Sequence, residues 1–296
     1  RLLRAGERVR IFDNLSRTGV ERNIAWLRES HGDAFEVVVA DVRDPSAVKT
    51  AMEGVTHVFH LAAQVAVTTS LVDPRLDFEV NALGALNVLE AIRRAPRPPS
   101  LLYTSTNKVY GALQDVALAP SKKRYEVADP DVESSGISEL RPLDFHSPYG
   151  CSKGAADQYV LDYARSFGIR AAVLRMSCIY GPRQFGNEDQ GWVAHFLIRA
   201  LRGEPITIYG DGRQVRDVLY IDDLVDAFAA ARRSIGEIAG RAFNVGGGPR
   251  NTLSLLELCE RIEPLVRRAP RLVFHDWRVA DQRYYVSDPR ALERVT

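Results

Sequence analysis

The stretch Glu36-Val37-Val38-Val39-Ala40-Asp41 decides how the chain is read. Its unbroken β-branched run predicts a short strand, Glu36 to Ala40, buried on both faces and ending at a carboxylate. Arg8 to Phe12 has the same character and leads into Asp13; His57–Leu61, Leu101–Ser105 and Arg170–Arg175 read as further strands. Helical patterns lie between them at Val20–Ser30, Pro45–Glu53, Leu76–Arg94 and Pro148–Phe167. Short apolar strands alternating with helices predict an α/β fold with a doubly wound parallel sheet, whose ligands sit at the carboxyl ends of the strands. Beyond Arg175 the rhythm changes to loops, a helix near Gly191–Arg202 and the turn Tyr209-Gly210-Asp211-Gly212, which together read as a smaller lobe. Val218–Arg233 and Ala242–Val245 are expected to return to the main sheet. The expected division is therefore a dinucleotide-binding domain over 1–174, completed by about 215–247, and a C-terminal substrate lobe formed mainly by 175–296.

Composition narrows the class. The 296 residues are 46% hydrophobic and 26% charged, which suits a globular chain with a sizeable core. A formal net charge of +1 offers no field for nucleic acid or an acidic bilayer. No apolar run approaches the length of a membrane-spanning helix and no signal peptide is visible, so neither membrane nor nucleic acid is expected as a partner. Cys151, Cys178 and Cys259 form neither a disulfide framework nor a zinc pattern, which predicts a reducing cytoplasm. The six histidines have no ligand spacing, so no metal is expected.

The strand ends carry the first candidate ligands. Asp13, in Phe12-Asp13-Asn14-Leu15-Ser16, can accept from both hydroxyls of an adenosine ribose and would repel a 2′-phosphate, favouring NAD over NADP. Arg17 blurs that preference, because a guanidinium accepts phosphate; Asp13-Asn14 also reads as a plain turn. Asp41-Val42 could hold the adenine by side chain and backbone. Leu61-Ala62-Ala63-Gln64 ends the next strand with small residues that let a flat cofactor approach the backbone, although such residues also simply pack well. The glycine-rich turn of a dinucleotide site precedes its acidic residue by about 20 residues, which falls before Arg1. Arg1 to Gly6 reads as the tail of the first crossover helix, with Gly6 as its cap. The opening strand and its glycine loop are thus expected upstream, and the chain without them is not expected to act as a competent enzyme.

Ser147-Pro148-Tyr149-Gly150-Cys151-Ser152-Lys153 carries the chemistry. Ser147 suits an N-cap and Pro148 the first helical position. Four residues are slightly more than a turn, so Tyr149 and Lys153 project from one face. A neighbouring ammonium favours phenolate and turns a tyrosine into a general base. Thr104-Ser105-Thr106-Asn107-Lys108 leaves another strand at the same edge, and with Thr106 the set becomes Thr–Tyr–Lys. Each part alone has a bland reading; the combination is far more specific.

With these residues the chain resembles the extended short-chain dehydrogenase/reductase family of NAD-dependent nucleotide-sugar epimerases and dehydratases, from Arg1 to beyond Arg283. Ser105–Gly111, Leu143–Tyr163, Gly210–Leu219 and Asp281-Gln282-Arg283 make it similar to the branch that inverts carbon 2 of CDP-paratose to give CDP-tyvelose. The resemblance implies NAD as cofactor and a Rossmann-type fold, with Tyr149 as base, Lys153 as its partner and Thr106 positioning the hydroxyl. It implies cofactor contacts from Asp13, Asn14, Ser16, Arg17, Asp41, Val42, Leu61, Ala62, Ala63, Gln64, Asn81, Thr104 and Ser177. It further implies a nucleotide-diphosphate sugar, a CDP-hexose, held by Thr106, Asn107, Gln184, Gln190, Trp192, Val193, Tyr209, Arg216 and Arg283. Asn107-Lys108 stands where the family's dehydratases carry an acid and a base, which argues against dehydration. Lys108 reads either as a ligand for the substrate or as a surface lysine. A homodimer or larger homo-oligomer is expected through helices near Leu76–Arg94 and Pro148–Phe167. The rival readings are a UDP-sugar 4-epimerase with the same triad and a non-catalytic NAD-binding redox sensor.

Overall fold

A computed structural model describes residues 1–296. Four parallel strands form its central sheet in the order Ala242–Val245, Ala171–Met176, Ser100–Thr106, His57–His60. Alternation along these strands sends side chains to two covered faces. Leu101, Tyr103, Ala171 and Val173 pack with Val88, Leu89 and Ile92 of the Gly84–Arg94 helix and with Ala156 and Val160 of the Ser147–Phe167 helix. Leu102, Ala172, Leu174 and Phe243 face the other way, against Leu224, Ala231, Ile235 and Ile238. This is the doubly wound α/β arrangement that the alternating pattern predicts.

Val9–Asp13 and Phe35–Val39 pair in parallel as a separate two-stranded ribbon. The expected two-sided burial is not met there: Val39, at the carboxyl end of Phe35–Val39, is 63% exposed. The chain from Leu3 to Ala5 is a short 3-10 turn closed by Gly6 at φ 76°, a left-handed conformation suited to glycine.

Two expected elements take a different form. Leu76–Arg94 is not one regular helix but Pro74–Phe78, a π-helical turn over Glu79–Leu83, and then Gly84–Arg94. The segment from Val218 onward returns to the main sheet only in part. Its strand Val215–Tyr220 pairs with Cys178–Tyr180, Thr252–Ser254 and Tyr284–Tyr285 in a separate sheet, while the following helix Ile221–Arg233 covers the main one. The lobe has its own core, Phe196, Ala200, Ile206, Ile208, Leu258 and Ile262. No helix is long and apolar enough to cross a membrane.

A buried ion pair fastens the long helix to the sheet. Arg175 Nε and Nη2 each donate to Asp157 at 2.9 Å, with side chains 5% and 0% exposed. Arg175 Nη1 also donates to Tyr110 Oη at 3.1 Å, and Tyr110 donates to Asn244 Oδ1 at 2.8 Å. Breaking such a pair strands a buried charge, so Arg175→Met should cost about 3–5 kcal/mol. Adding Asp157→Leu should recover much of that loss. Urea unfolding midpoints of the two variants check this; equal midpoints would show that the stranded carboxylate carries no penalty.

Candidate active site

The Ser100–Thr106 strand and the Ser147–Phe167 helix deliver the three candidate catalytic groups to one place. Ser147 opens the helix at φ 65° with its Oγ accepting from Gly150 N at 3.2 Å, and His146 rather than Ser147 takes the cap position. Gly154 allows close seating, since a Cβ there would lie 2.4 Å from the Phe145 ring. Tyr149 is 8% exposed. Burial pushes its phenol up to about 12, against the pull of a hydrogen bond with Thr106; Asp77 adds to the rise. Lys153, 2% exposed, is lowered to about 7 by burial, opposed by Asp157 and Asp77. Its Nζ donates to Thr104 O at 2.6 Å and lies 4.3 Å from the centre of the Tyr103 ring. Thr106 lies close enough to Tyr149 to lower its phenol, and Lys153 turns its ammonium to the Thr104 carbonyl.

Behind this face sits a carboxylate that the sequence reading passed over. Asp77 is fully buried and accepts from Gln64 Nε2 at 2.7 Å, from Asn81 Nδ2 at 3.2 Å and from the Ser152 hydroxyl. Asn81 also receives Gln64 N on its Oδ1 at 2.9 Å and donates to Gln64 O at 3.0 Å and Ser152 Oγ at 3.1 Å. Its amide hydrogens are thus used within the protein, so Asn81 acts through its neighbours rather than by its own side-chain donors. Spacing was the available signal: Asp77 and Asn81 are four apart, as are Tyr149, Lys153 and Asp157.

The proposed cofactor residues fall at the strand ends, with their polar atoms partly committed. Asp13 Oδ1 accepts from Leu15 N at 2.7 Å and Asn14 Oδ1 from Ser16 N at 3.1 Å, so the plain turn is formed. Asn14 Nδ2 donates to Asp41 Oδ2 at 2.9 Å, joining the two strand ends. Asp41 is otherwise held by the Arg43 guanidinium, which drives its carboxyl far below the usual range. Val42 is buried, with its carbonyl accepting from Asn87 at 2.9 Å. Thr104 spends its hydroxyl on His60 O at 2.9 Å, and Ser177 spends its own on Asp217. Leu61 is 56% exposed beside the small Ala62 and Ala63. A carboxylate at one strand end, a bare aliphatic surface at the next, and a phenol with an ammonium beyond form a donor set that fits a dinucleotide.

The lobe side is polar and under-satisfied. The Oε1 atoms of Gln184, Gln190, Gln214 and Gln282 are buried without partners. Tyr209 Oη donates to Glu188 Oε1 at 2.5 Å, and the Arg278 guanidinium stands 3.9 Å over the Tyr209 ring. Trp192 packs edge-on to Phe196, and Val193 joins the lobe core. Arg216 is turned inward, donating to Asp281 Oδ1 at 2.9 Å and to Gln282 O at 2.5 Å. Arg283 is exposed and lies 5.2 Å from Trp277. Asn107 is 8% exposed, next to Thr106, and its carbonyl accepts from Gln282 Nε2 at 3.4 Å. Lys108 is not a surface lysine: its Nζ donates to Ala280 O at 3.2 Å, lies 3.7 Å from Asp281, and is lowered to about 8 by burial. Arg278 was not singled out in the sequence, and Asp281 entered it only within the run Asp281-Gln282-Arg283.

Known proteins with this arrangement are numerous. Residues 1–246 match the NAD dependent epimerase/dehydratase family. Over 285 residues the chain is 45% identical to a CDP-paratose 2-epimerase of Salmonella typhi, covering 94% of this chain and 83% of that one. It is 33% identical over 284 residues to a UDP-glucose 4-epimerase of Mycolicibacterium smegmatis, covering 96% and 82%. A Thermus thermophilus UDP-glucose 4-epimerase solved with NAD superposes with a TM-score of 0.79 at 33% identity, covering 99% and 86%.

The buried ammonium has a consequence for stability. Unfolded, Lys153 titrates near 10.5; folded, near 7. Between those values the unfolded chain holds one more proton, so this group makes the folded state gain stability as pH rises through the window and lose it as pH falls toward about 7. Lys153→Met should flatten that part of the stability profile of the cofactor-free protein. Parallel denaturation curves across the window test this, and identical slopes for the two proteins would contradict it.

Proposed function

Because the chain belongs to the NAD-dependent epimerase/dehydratase family, we propose that it is a nucleotide-sugar epimerase that inverts carbon 2 of CDP-paratose to give CDP-tyvelose. The reading is carried by the convergence of Thr106, at the end of the Ser100–Thr106 strand, with Tyr149 and the buried Lys153 of the Ser147–Phe167 helix, whose Nζ donates to Thr104 O. The similarity to the Salmonella typhi CDP-paratose 2-epimerase supports the choice of sugar and carbon.

NAD, when bound, takes a hydride from the reacting carbon and returns it. Asp13 holds its adenosine ribose, with Asn14, Ser16 and Arg17 beside it. Leu61, Ala62 and Ala63 bound the flat part of its cleft, and Lys153 reaches its second ribose. Thr106 fixes the sugar hydroxyl, and Tyr149 removes its proton as the carbon becomes a ketone. Tyr149 retains that proton while the ketose presents its other face. It then gives the proton back, so the stereocentre inverts with no net oxidation. Arg216 releases Asp281 to hold the diphosphate, assisted by Arg278 or Arg283. Gln190, Trp192, Val193 and Tyr209 surround the nucleoside, with Gln184 at the lobe entrance.

A UDP-sugar 4-epimerase is the second reading, favoured by the Mycolicibacterium smegmatis relative. Proton NMR of the product separates the two, because inversion at carbon 2 and at carbon 4 changes different ring couplings. Three free cysteines suit a cytoplasmic setting. Val72, Phe78, Tyr159 and Phe167 are exposed on or beside the helices expected to pair, and suit a homodimer.

Tyr149→Phe should lower kcat by about 10²–10⁴-fold, the usual worth of a general base, while bound NAD is retained. Unchanged turnover would remove the phenol from the mechanism, and a redox sensor would show no turnover to lose. Full-length protein given CDP-paratose should produce CDP-tyvelose without consuming added NADH; steady NADH loss would indicate a net reductase instead.

A further inference from the structure

Residues 183–190 join strand Cys178–Tyr180 to helix Trp192–Arg202 and touch both halves of the molecule. Toward the cofactor side, the Arg183 guanidinium lies 3.7 Å over the Trp26 ring of the Val20–His31 helix. The Arg183 carbonyl accepts from Asn23 Nδ2 at 3.4 Å, and the Phe185 carbonyl accepts from Arg17 Nη2 at 3.3 Å. Gly19 passes so close to Phe185 that a Cβ would stand 2.6 Å from the ring. Toward the lobe, Glu188 receives Tyr209 Oη at 2.5 Å and, on its carbonyl, Arg278 Nη1 at 3.1 Å. Thr68 donates to Asp189 Oδ1 at 2.7 Å.

Arg183 adopts φ 63°. A long side chain persists in that left-handed conformation only where its surroundings hold it there. Here the holding contact is the cation–π stack on Trp26, which ties the segment to the turn that leaves Asp13.

An epimerase that stores a hydride on its cofactor between two half-reactions has a particular need. If reduced dinucleotide escapes midway, the keto sugar is stranded and the turnover is lost. We propose that Arg183, Phe185 and Trp26 are cofactor-positioning residues: they press the Asp13–Gly19 turn against the adenosine end of the dinucleotide. Because the same segment carries Glu188 to Tyr209 and Arg278 of the lobe, a nucleotide filling the lobe tightens that hold. The proposal rests on Asp13 taking the ribose and on the lobe taking the nucleotide sugar. Linkage then requires the converse as well, so bound dinucleotide raises the lobe's affinity for nucleotide.

The test uses the holoenzyme and the variants Arg183→Gly and Phe185→Leu. Glycine adopts the observed φ without strain, so Arg183→Gly removes the stack while preserving the backbone. Each loaded protein is diluted into an enzyme that scavenges free dinucleotide, with and without CDP, and loss of bound dinucleotide is followed. Both variants should release it about tenfold faster than wild type, equivalent to about 1.4 kcal/mol. CDP should slow release from wild type but not from Arg183→Gly. Cofactor-free melting temperatures, unchanged by loss of a purely positioning contact, separate this from general destabilisation. Release at the wild-type rate from both variants overturns the proposal, and equal slowing by CDP in all three proteins overturns its coupling to the lobe. Failure of wild type to epimerise CDP-paratose, with the release pattern as expected, would reject the sugar and leave the cofactor hold standing.

Discussion

The site is organised by a charge pair that never meets bulk water. Asp157 lies one turn beyond Lys153 on the long helix, and Arg175 lies on the strand beside the one carrying Thr106. Their two-point contact sets how far the helix can rotate about its axis. With Asp157 turned to Arg175, Lys153 and Tyr149, about one and two turns earlier, face the end of the Ser100–Thr106 strand. The tyrosine spacing has meaning only because that rotation is fixed. Hydrophobic packing alone would tolerate small rolls of the helix; a bidentate ion pair does not.

The same burial that fixes the geometry disturbs the titration of its members in opposite directions. The phenol rises to about 12 and the ammonium falls to about 7. Asp77 acts on the two in opposite senses as well, making phenolate less favourable and lysinium more so.

Strand and helix placement was legible because it depends on local patterning: the five strands read from apolar runs all formed, with ends shifted by a residue or so. The break in Leu76–Arg94 was not legible. It contains no proline between Leu76 and Arg94, and the π-turn reflects tertiary demands around Asn81, whose amide serves three partners. Asp13 and Tyr149 could be singled out because each follows a recognisable local device, a strand end or a cap. Arg216 could be named but its orientation could not, since the carboxylate it faces, Asp281, is 65 positions away. Lys108 is the clearest example: whether it is surface or buried depends wholly on Ala280 and Asp281 folding back over it.

Asp281 stands between Lys108 and Arg216, so two cations share one counter-ion. Lys108 is lowered to about 8 and is therefore only partly charged in mildly alkaline solution. An arriving phosphate anion would stabilise the ammonium form and draw a proton from the medium. Binding of such an anion near that pH would be coupled to proton uptake, and its calorimetric heat would vary with the ionisation enthalpy of the buffer.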